Sequence, residues 1–395
     1  MTVNRPRVVI ASRLFPPEPG AAAYRLGALA RTLVSRGASV RVLSTRPPGG
    51  LRPQDAPGVR VSRWPVRRDA GGNVRGYLSF ASFDGPLAAR LLLTRGVDLV
   101  VVEPPPTTGA VVRVVTALRR RRYVYYAGDV SSAAAQGIGL RGPLLSVLRR
   151  LEAWAMSGAV CVLTVSDSVA EAIADLTGDR VRVVVVGTGV DTGVFRPQPD
   201  APATAAPTFV YAGTMSEVHG AAVFVEAFGL VHAEHPQARL VMFGQGTDLA
   251  LMRRRADELA LGAVEFPGVV PGAVVAAAFS GAVAGLASLR PGAGYDIAFP
   301  TKMFAATACG APVVYAGGGP GRTMVEEHGL GWGCDWEPQA VAEGMRSALA
   351  APPTPQRRAG LAAWTEENAS QRSVAGRAAD AVLEAADQHL YNRGS

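Results

Sequence analysis

The chain has 395 residues, 48% of them hydrophobic and 18% charged, with a formal net charge of +8. At about 100–200 residues per domain this length predicts two or three domains, and the apolar content excludes a disordered chain. The 45 glycines and 29 prolines follow no period, which excludes a collagen-like one.

A basic excess admits nucleic acid, acidic headgroups or phosphorylated substrates as partners. The basic residues are spread along the chain, and only Arg119–Arg122 and Arg253–Arg255 form runs, both where a helix should end or turn over. A solvated face accounts for such runs, and no nucleic-acid partner is predicted. Of the 40 lysines and arginines, all but Lys302 are arginine. A lone lysine in an arginine-biased chain marks a position where a compact ammonium suits better than a guanidinium. Cys161, Cys309 and Cys334 are too far apart for a disulfide framework or metal-ligand spacing, and the five histidines begin only at His219. No metal site is predicted. The N-terminus turns polar too early for a signal peptide, and no long uncharged apolar run occurs. A reducing, cytoplasmic setting is expected.

In chain order, VVIA at 8–11 predicts a buried parallel strand. A Pro/Gly loop follows, then a helix over 21–36 that stops at Gly37, then a strand over 38–45. This is one βαβ unit. The pattern repeats with a strand at 97–103, a helix at 109–119, a strand at 122–129, a helix at 143–157, a strand at 158–166, a helix at 168–178 and a last strand from Arg180. The segment 75–96 reads as a core-packed helix, with resting on a membrane as the alternative. Residues 197–207 are Pro, Ala and small polar residues with no core pattern, and predict a linker. The second half predicts strands at 208–215, 238–246, 263–270, 282–289 and 311–319, and helices at 220–236, 247–261 and 301–310. A helical tail follows from Arg357 to Leu390.

The fold class is therefore α/β, with two Rossmann-like doubly wound domains. Their ligands are expected at the carboxyl ends of the strands, near the point where the strand order reverses. No GxGxxG follows the first strand and no Walker A sequence occurs, so dinucleotide and P-loop readings fall away.

Four segments, in order, resemble glycosyltransferase family 4, over nearly the whole chain. They are FPPEPGAAAYRLGALARTLVSRGASVRVLST at 15–45, TVSDSVAEAIADLTGDRVRVVVVGTGVDTGVFRP at 164–197, FVYAGTMSEVHGAAVFVEAF at 209–228 and AFPTKMFAATACGAPVVYAGGG at 298–319. The chain looks closest to the branch whose donor loop reads Pro-Ser/Thr-Lys. The resemblance implies a GT-B fold with two domains facing a central cleft. Residues 1–196 would form the acceptor domain, 197–207 the linker and 208–372 the nucleotide-sugar donor domain, with a C-terminal helix (373–395) returning to the first domain. It implies a retaining, metal-independent transferase of the hexosyltransferase type. The donor would be a nucleoside diphosphate sugar, a UDP-sugar first among them, used as substrate with no cofactor. The acceptor would be a small molecule or lipid-linked, in cell-envelope or natural-product biosynthesis. Monomer and homodimer both stay open, as does peripheral contact with the inner membrane face. A nucleotide-sugar epimerase of the same fold and a catalytically silent nucleotide-sugar binder are the other readings. The chain departs from the family where two glutamates are usual, at Ile297 and Ala305, and where a basic pair is usual, at Thr214 and His219.

Candidate site residues follow. Lys302, after Pro300 and Thr301 at a helix start, would neutralise a leaving diphosphate. Glu103 and Asp129 end strands and are the candidate catalytic carboxylates, with a turn or cap as the alternative for Asp129. Gly20, Gly213, Thr214, Gly244 and Gly246 let backbone approach the donor, or serve as plain turn residues. His219 stands in for the missing lysine, Tyr295 and Asp296 touch sugar hydroxyls, and Arg322 reaches the diphosphate.

Overall fold

The computed structural model describes residues 5–18, 20–49, 51–53, 55–69, 72, 74, 76–137, 139–198, 206–259, 261–292 and 300–394. The candidates Tyr295 and Asp296, the position Ile297 and most of the 197–207 segment lie outside them.

Residues up to Gly187, together with the chain from Val374 onward, form one compact unit, and Thr188–Ser373 form a second. The first holds strands β1 (Arg7–Ala11), β2 (Ser39–Thr45), β3 (Val59–Trp64), β4 (Leu99–Val102), β5 (Arg122–Ala127), β6 (Cys161–Thr164) and β7 (Arg182–Val185). Its helices are α1 (Ala21–Ser35), α2 (Tyr77–Leu93), α3 (Pro106–Leu118), α4 (Ser131–Gly137), α5 (Pro143–Ser157) and α6 (Asp167–Thr177). The strands pair in the order β3-β2-β1-β4-β5-β6-β7, and every pairing is parallel. The period of two along β1 sorts its side chains to two cores. Val8 and Ile10 pack with Leu26 and Leu29 of α1, whereas Val9 and Ala11 pack with Phe83 of α2 and Val112 of α3.

The second unit holds β8 (Thr208–Ala212), β9 (Arg239–Phe243), β10 (Val264–Gly268), β11 (Ala284–Ser288), β12 (Val313–Ala316) and β13 (Gly331–Cys334). Its helices are α7 (Ala222–Glu234), α8 (Leu249–Glu258), α9 (Gly272–Gly281), α10 (Lys302–Ala308), α11 (Gly319–Glu327), α12 (Pro338–Ala350) and α13 (Pro355–Ala369). The order is β10-β9-β8-β11-β12-β13, again parallel throughout. The final helix, α14 (Gln371–Gly394), packs Val374, Ala378 and Val382 into the first unit's core beside Val8 and Leu163.

Two sequence expectations shift. Strand β3 was not expected: it is a short edge strand, VRVSRW, in which Val59 is buried, Arg60 is exposed and Arg63 is largely covered, donating to Asp55 and the Pro16 carbonyl. Residues 188–196, read as the end of the first domain, belong to the second unit. Val190 donates to the Ala369 carbonyl at 2.9 Å and accepts from the Gln371 amide at 2.8 Å. Phe195 packs against the second unit's apolar cluster, and the Gln198 amide donates to Ser280 Oγ. Long-range pairing holds this segment, and composition carries no trace of it.

Candidate functional site

In each sheet the strand order reverses once, between β1 and β4 and between β8 and β11. Loops leaving the carboxyl ends of those strands diverge there and leave room for a ligand. The candidates group at these two edges, and each edge is described by itself.

At the second unit's edge, β8 runs into Gly213 and Thr214, β9 into Gly244, and α10 opens with Lys302. The loops after β8 and β9 touch backbone to backbone. A Cβ at Gly244, whose φ is +129°, would stand 1.9 Å from the Gly213 carbonyl oxygen, and one at Gly246 would stand 1.9 Å from that of Met215. Only glycine permits this approach. It is locked by the Gly213 amide donating to Phe243 and the Met215 amide donating to Gln245. The Lys302 ammonium lies directly over Gly213, where a Cβ would come within 3.1 Å of Nζ.

Tyr211, buried in β8, holds that ammonium. Lys302 Nζ donates to the Tyr211 hydroxyl at 2.8 Å, and the hydroxyl donates onward to the Thr214 carbonyl at 2.7 Å. Nζ also lies 4.8 Å from the Tyr211 ring centroid. No described carboxylate pairs with Lys302. A hydrogen bond contributes about 1 kcal/mol net and a cation–π contact up to ~2. Burying an ammonium costs several kcal/mol. The difference shows in the titration: burial pushes the Lys302 ammonium down to about 7. Burial, with Lys302 nearby, likewise pushes His219 down to about 4, so its imidazole is neutral at neutral pH. His219 Nδ1 pairs with Ser216 Oγ at 2.8 Å, and its carbonyl accepts from Ser288 Oγ. His219 therefore adds no positive charge at neutral pH in place of a lysine.

Pro300 is buried and Thr301 exposed, and their carbonyls accept from the amides of Met303 and Phe304 as α10 begins. Ala305 packs into the apolar cluster with Met303 and Phe304. Arg322 is placed otherwise than the sequence suggested. Its guanidinium donates to Glu326 at 2.8 Å and to Asp335 at 2.5 Å, so two carboxylates already hold the charge expected to meet a diphosphate.

At the first unit's edge, Gly20 caps α1 with φ +149°, and no described atom lies within 4 Å of where its Cβ would be. Glu103, the residue after β4, is buried. It accepts from Arg25 at 2.5 Å and from Ser12 Oγ at 3.0 Å. Burial raises its carboxyl above the usual range, against the pull of Arg25. Arg25 also lies over the Tyr126 ring at 4.8 Å. Beside them Glu18 accepts from Arg68 and from Thr45 Oγ1. Asp129 follows β5 and is exposed. Glu103 is thus a structural anchor for Arg25, and Asp129 is the open carboxylate of this edge.

Sequence reasoning missed Tyr211 and Arg25. Tyr211 reads as one more apolar strand residue, and Arg25 as one more surface arginine in α1. Lys302 was found because it is the chain's sole lysine.

Two parallel doubly wound sheets in one chain are the architecture of the α/β GT-B class. Residues 20–189 match the glycosyl transferase 4-like domain model and residues 206–351 match the glycosyl transferases group 1 model, so the chain is a GT-B glycosyltransferase of the family 4 type. Solved structures share the fold at low identity. The sucrose-phosphate synthase of Thermosynechococcus elongatus is 19% identical with a TM-score of 0.68, the match covering 98% of this chain and 99% of that one. Anabaena HepE, solved in complex with UDP, is 16% identical at a TM-score of 0.71, over 96% and 100%. A glycosyltransferase from Rickettsia africae is 14% identical at 0.72, over 98% and 100%. No curated protein matches the chain at a significant level of sequence similarity.

Proposed function

We propose that this chain transfers a sugar from a nucleoside diphosphate sugar, a UDP-sugar foremost, to an acceptor hydroxyl or amine with retention of configuration. The carrying observation is Lys302, a half-buried ammonium with no described carboxylate partner at the switch point of the second sheet. A cation left uncompensated inside a fold needs an anion, and a diphosphate supplies one. As the bond from the sugar's anomeric carbon to the diphosphate oxygen breaks, its electron pair moves to that oxygen. Lys302 neutralises the charge that develops there. Pro300 and Thr301 set the start of α10, and the close backbone approaches of Gly244 to Gly213 and of Gly246 to Met215 bring main chain close to the nucleotide. Anabaena HepE has been solved with UDP and with UDP-glucose, which supports a UDP-sugar as the donor. Retention and the Pro-Thr-Lys donor loop rest on the family likeness. In the first unit, Gly20 and Asp129 would meet the acceptor's hydroxyls.

The test is a thermal-shift series with nucleoside diphosphates, followed by turnover with the nucleotide sugar that binds. A ligand bound only by the folded state raises its melting midpoint. Release of nucleoside diphosphate in step with a glycosylated acceptor supports transfer. A free sugar inverted at C2 would mean epimerisation instead, and binding without turnover would mean a silent binder.

A further inference from the structure

Helix α2 turns Phe83, Leu87 and Leu91 into the first unit's core, so the 75–96 segment is a core-packed helix. Among the described residues no helix is long and apolar enough to cross a membrane. Strand β3 ends the first sheet and β2 lies beside it. Arg41 and Leu43 of β2 pair in register with Arg60 and Ser62 of β3, and Leu43 faces the α2 side of the sheet. The period of two puts Arg41 on that same face. Between these strands and the last turn of α2 lies a groove of about 510 Å³, lined by Arg41, Arg60, Arg90, Leu43, Val61 and Leu93 among others. A smaller recess of about 180 Å³ adjoins it toward the amino end of β1, lined again by Arg41 and Arg60 and also by Arg7 and Arg95. Arg90 reaches from α2 to β3, donating to the Ser62 carbonyl at 2.5 Å and to Ser62 Oγ at 2.9 Å. Its Nη1 is buried and has no described hydrogen-bond partner.

No residue lining the groove or the recess is acidic. The carboxylates nearest along the chain are engaged, Asp98 by Arg7 and Asp55 by Arg63. Asp84 of α2 is buried and accepts from Thr108 at 2.6 Å. Arg41, Arg60, Arg90 and Arg95 therefore have no described carboxylate partner, and burial pulls the Arg90 guanidinium below its ordinary value with nothing to oppose it. Elsewhere on the surface Arg182, Arg239, Arg255 and Arg346 each meet a glutamate. Like charges gathered around one groove repel one another, and an anion relieves that repulsion. Guanidinium groups hold phosphate oxygens two at a time, which favours a phosphate over a single carboxylate. The volume falls within the range of about 300–1,000 Å³ usual for small-molecule sites and exceeds what inorganic phosphate fills. Leu43, Val61 and Leu93 give the groove an apolar wall.

We infer that this groove is a second ligand site, taking a small organic molecule with two or more phosphate groups, whose phosphates meet Arg41, Arg60 and Arg90 and whose apolar part lies against Leu93. It shares no residue with the carboxyl edge of either sheet, so it would stand if the donor assignment failed.

Titration calorimetry of the full chain with ATP and with inorganic triphosphate as probes tests this. Lys302 offers both probes another place to bind, so the titrations are run on Lys302→Ala as well, where binding at the groove should persist. In that background both probes should bind saturably at low salt, ATP the more tightly, and added salt should weaken both. Adding Arg41→Gln/Arg60→Gln should weaken both roughly 30-fold. Adding Leu93→Ser should narrow the advantage of ATP over triphosphate. Arg41, Arg60 and Leu93 are exposed, so circular dichroism of these variants should match the parent. Three results would overturn the inference. One is no saturable binding of either probe to Lys302→Ala at low salt, which would place all binding at the second unit's edge. Another is undiminished binding when Arg41→Gln/Arg60→Gln is added. The third is ATP binding no tighter than triphosphate and indifferent to Leu93→Ser, which would leave the apolar wall without a role.

Discussion

At their carboxyl edges the two units hold Arg25 and Lys302 in opposite ways. In the first unit Arg25 is matched by Glu103 and Arg68 by Glu18, with Ser12 and Thr45 filling remaining lone pairs. In the second, Lys302 has a tyrosine hydroxyl and an aromatic face, and no described carboxylate. A buried ion pair is closed on itself, and breaking it leaves a charge stranded. A half-buried ammonium whose described partners are neutral is open, and an anionic ligand can supply the partner. On the function proposed above, the second edge would receive the anionic diphosphate and the first the acceptor.

The largest effect should come from opening the closed edge. Arg25→Met leaves Glu103 buried without its cation, and should cost about 3–5 kcal/mol in denaturant unfolding of the first unit. Adding Glu103→Gln to that variant should restore part of the loss. If Arg25→Met unfolds like the parent, the pair does not hold this edge, and the contrast drawn above fails.

Closing the open edge should act on turnover instead. Lys302→Ala should lower kcat by about 10²-fold, since a charge contact made in the transition state is worth roughly 3 kcal/mol. Lys302→Arg should recover only part, because the broader guanidinium cannot sit over Gly213 at the same distance. Turnover at the parent rate in Lys302→Ala would remove the lysine from the chemistry. A smaller change tests its mount. Tyr211→Phe removes the hydroxyl that orients Nζ and keeps the ring, and should cost about five- to tenfold in kcat, near the worth of one hydrogen bond. An unaltered kcat and pH profile would show that the ring alone positions the ammonium.

The smallest signal is a proton count. With Lys302 held at about 7, most of it is neutral at pH 8. A bound diphosphate favours the ammonium, so nucleotide binding at pH 8 should take up close to one proton, and at pH 6 almost none. Calorimetry in buffers of different ionisation enthalpy reads this directly, and equal enthalpies in all buffers at pH 8 would contradict it. The same shift sets the sign for stability. The folded value lies below the unfolded value of about 10.4, so between the two the unfolded chain binds more protons. This group's contribution to stability therefore rises with pH from about 7 to 10, and is at its worst below 7.

Both domains and the succession of their main strands along the chain were legible, because apolar runs alternate with helical periods throughout. Short elements were not: β13, GWGC, has no pattern a strand reading would pick, and its register comes from β12. The site divides along the same line. Lys302 and the glycines stand out locally, by rarity or by loop context. Tyr211 acquires its role only through a residue 91 positions away, and Arg25 through one 78 away. Arg322 teaches the reverse, since its partner Glu326 sits four residues on along α11, at the spacing where helix side chains meet.

The solitary lysine has a practical corollary. Amine-directed acylating reagents have, apart from the α-amino group, a single target on this molecule. An amine held at about 7 is largely unprotonated, hence nucleophilic, at mildly alkaline pH where ordinary lysines are still mostly protonated. Peptide mass after brief acylation, which separates Lys302 from the α-amino group, becomes a one-residue footprint of the second unit's edge. The degree to which each nucleotide shields that amine would rank candidate donors before any acceptor is known.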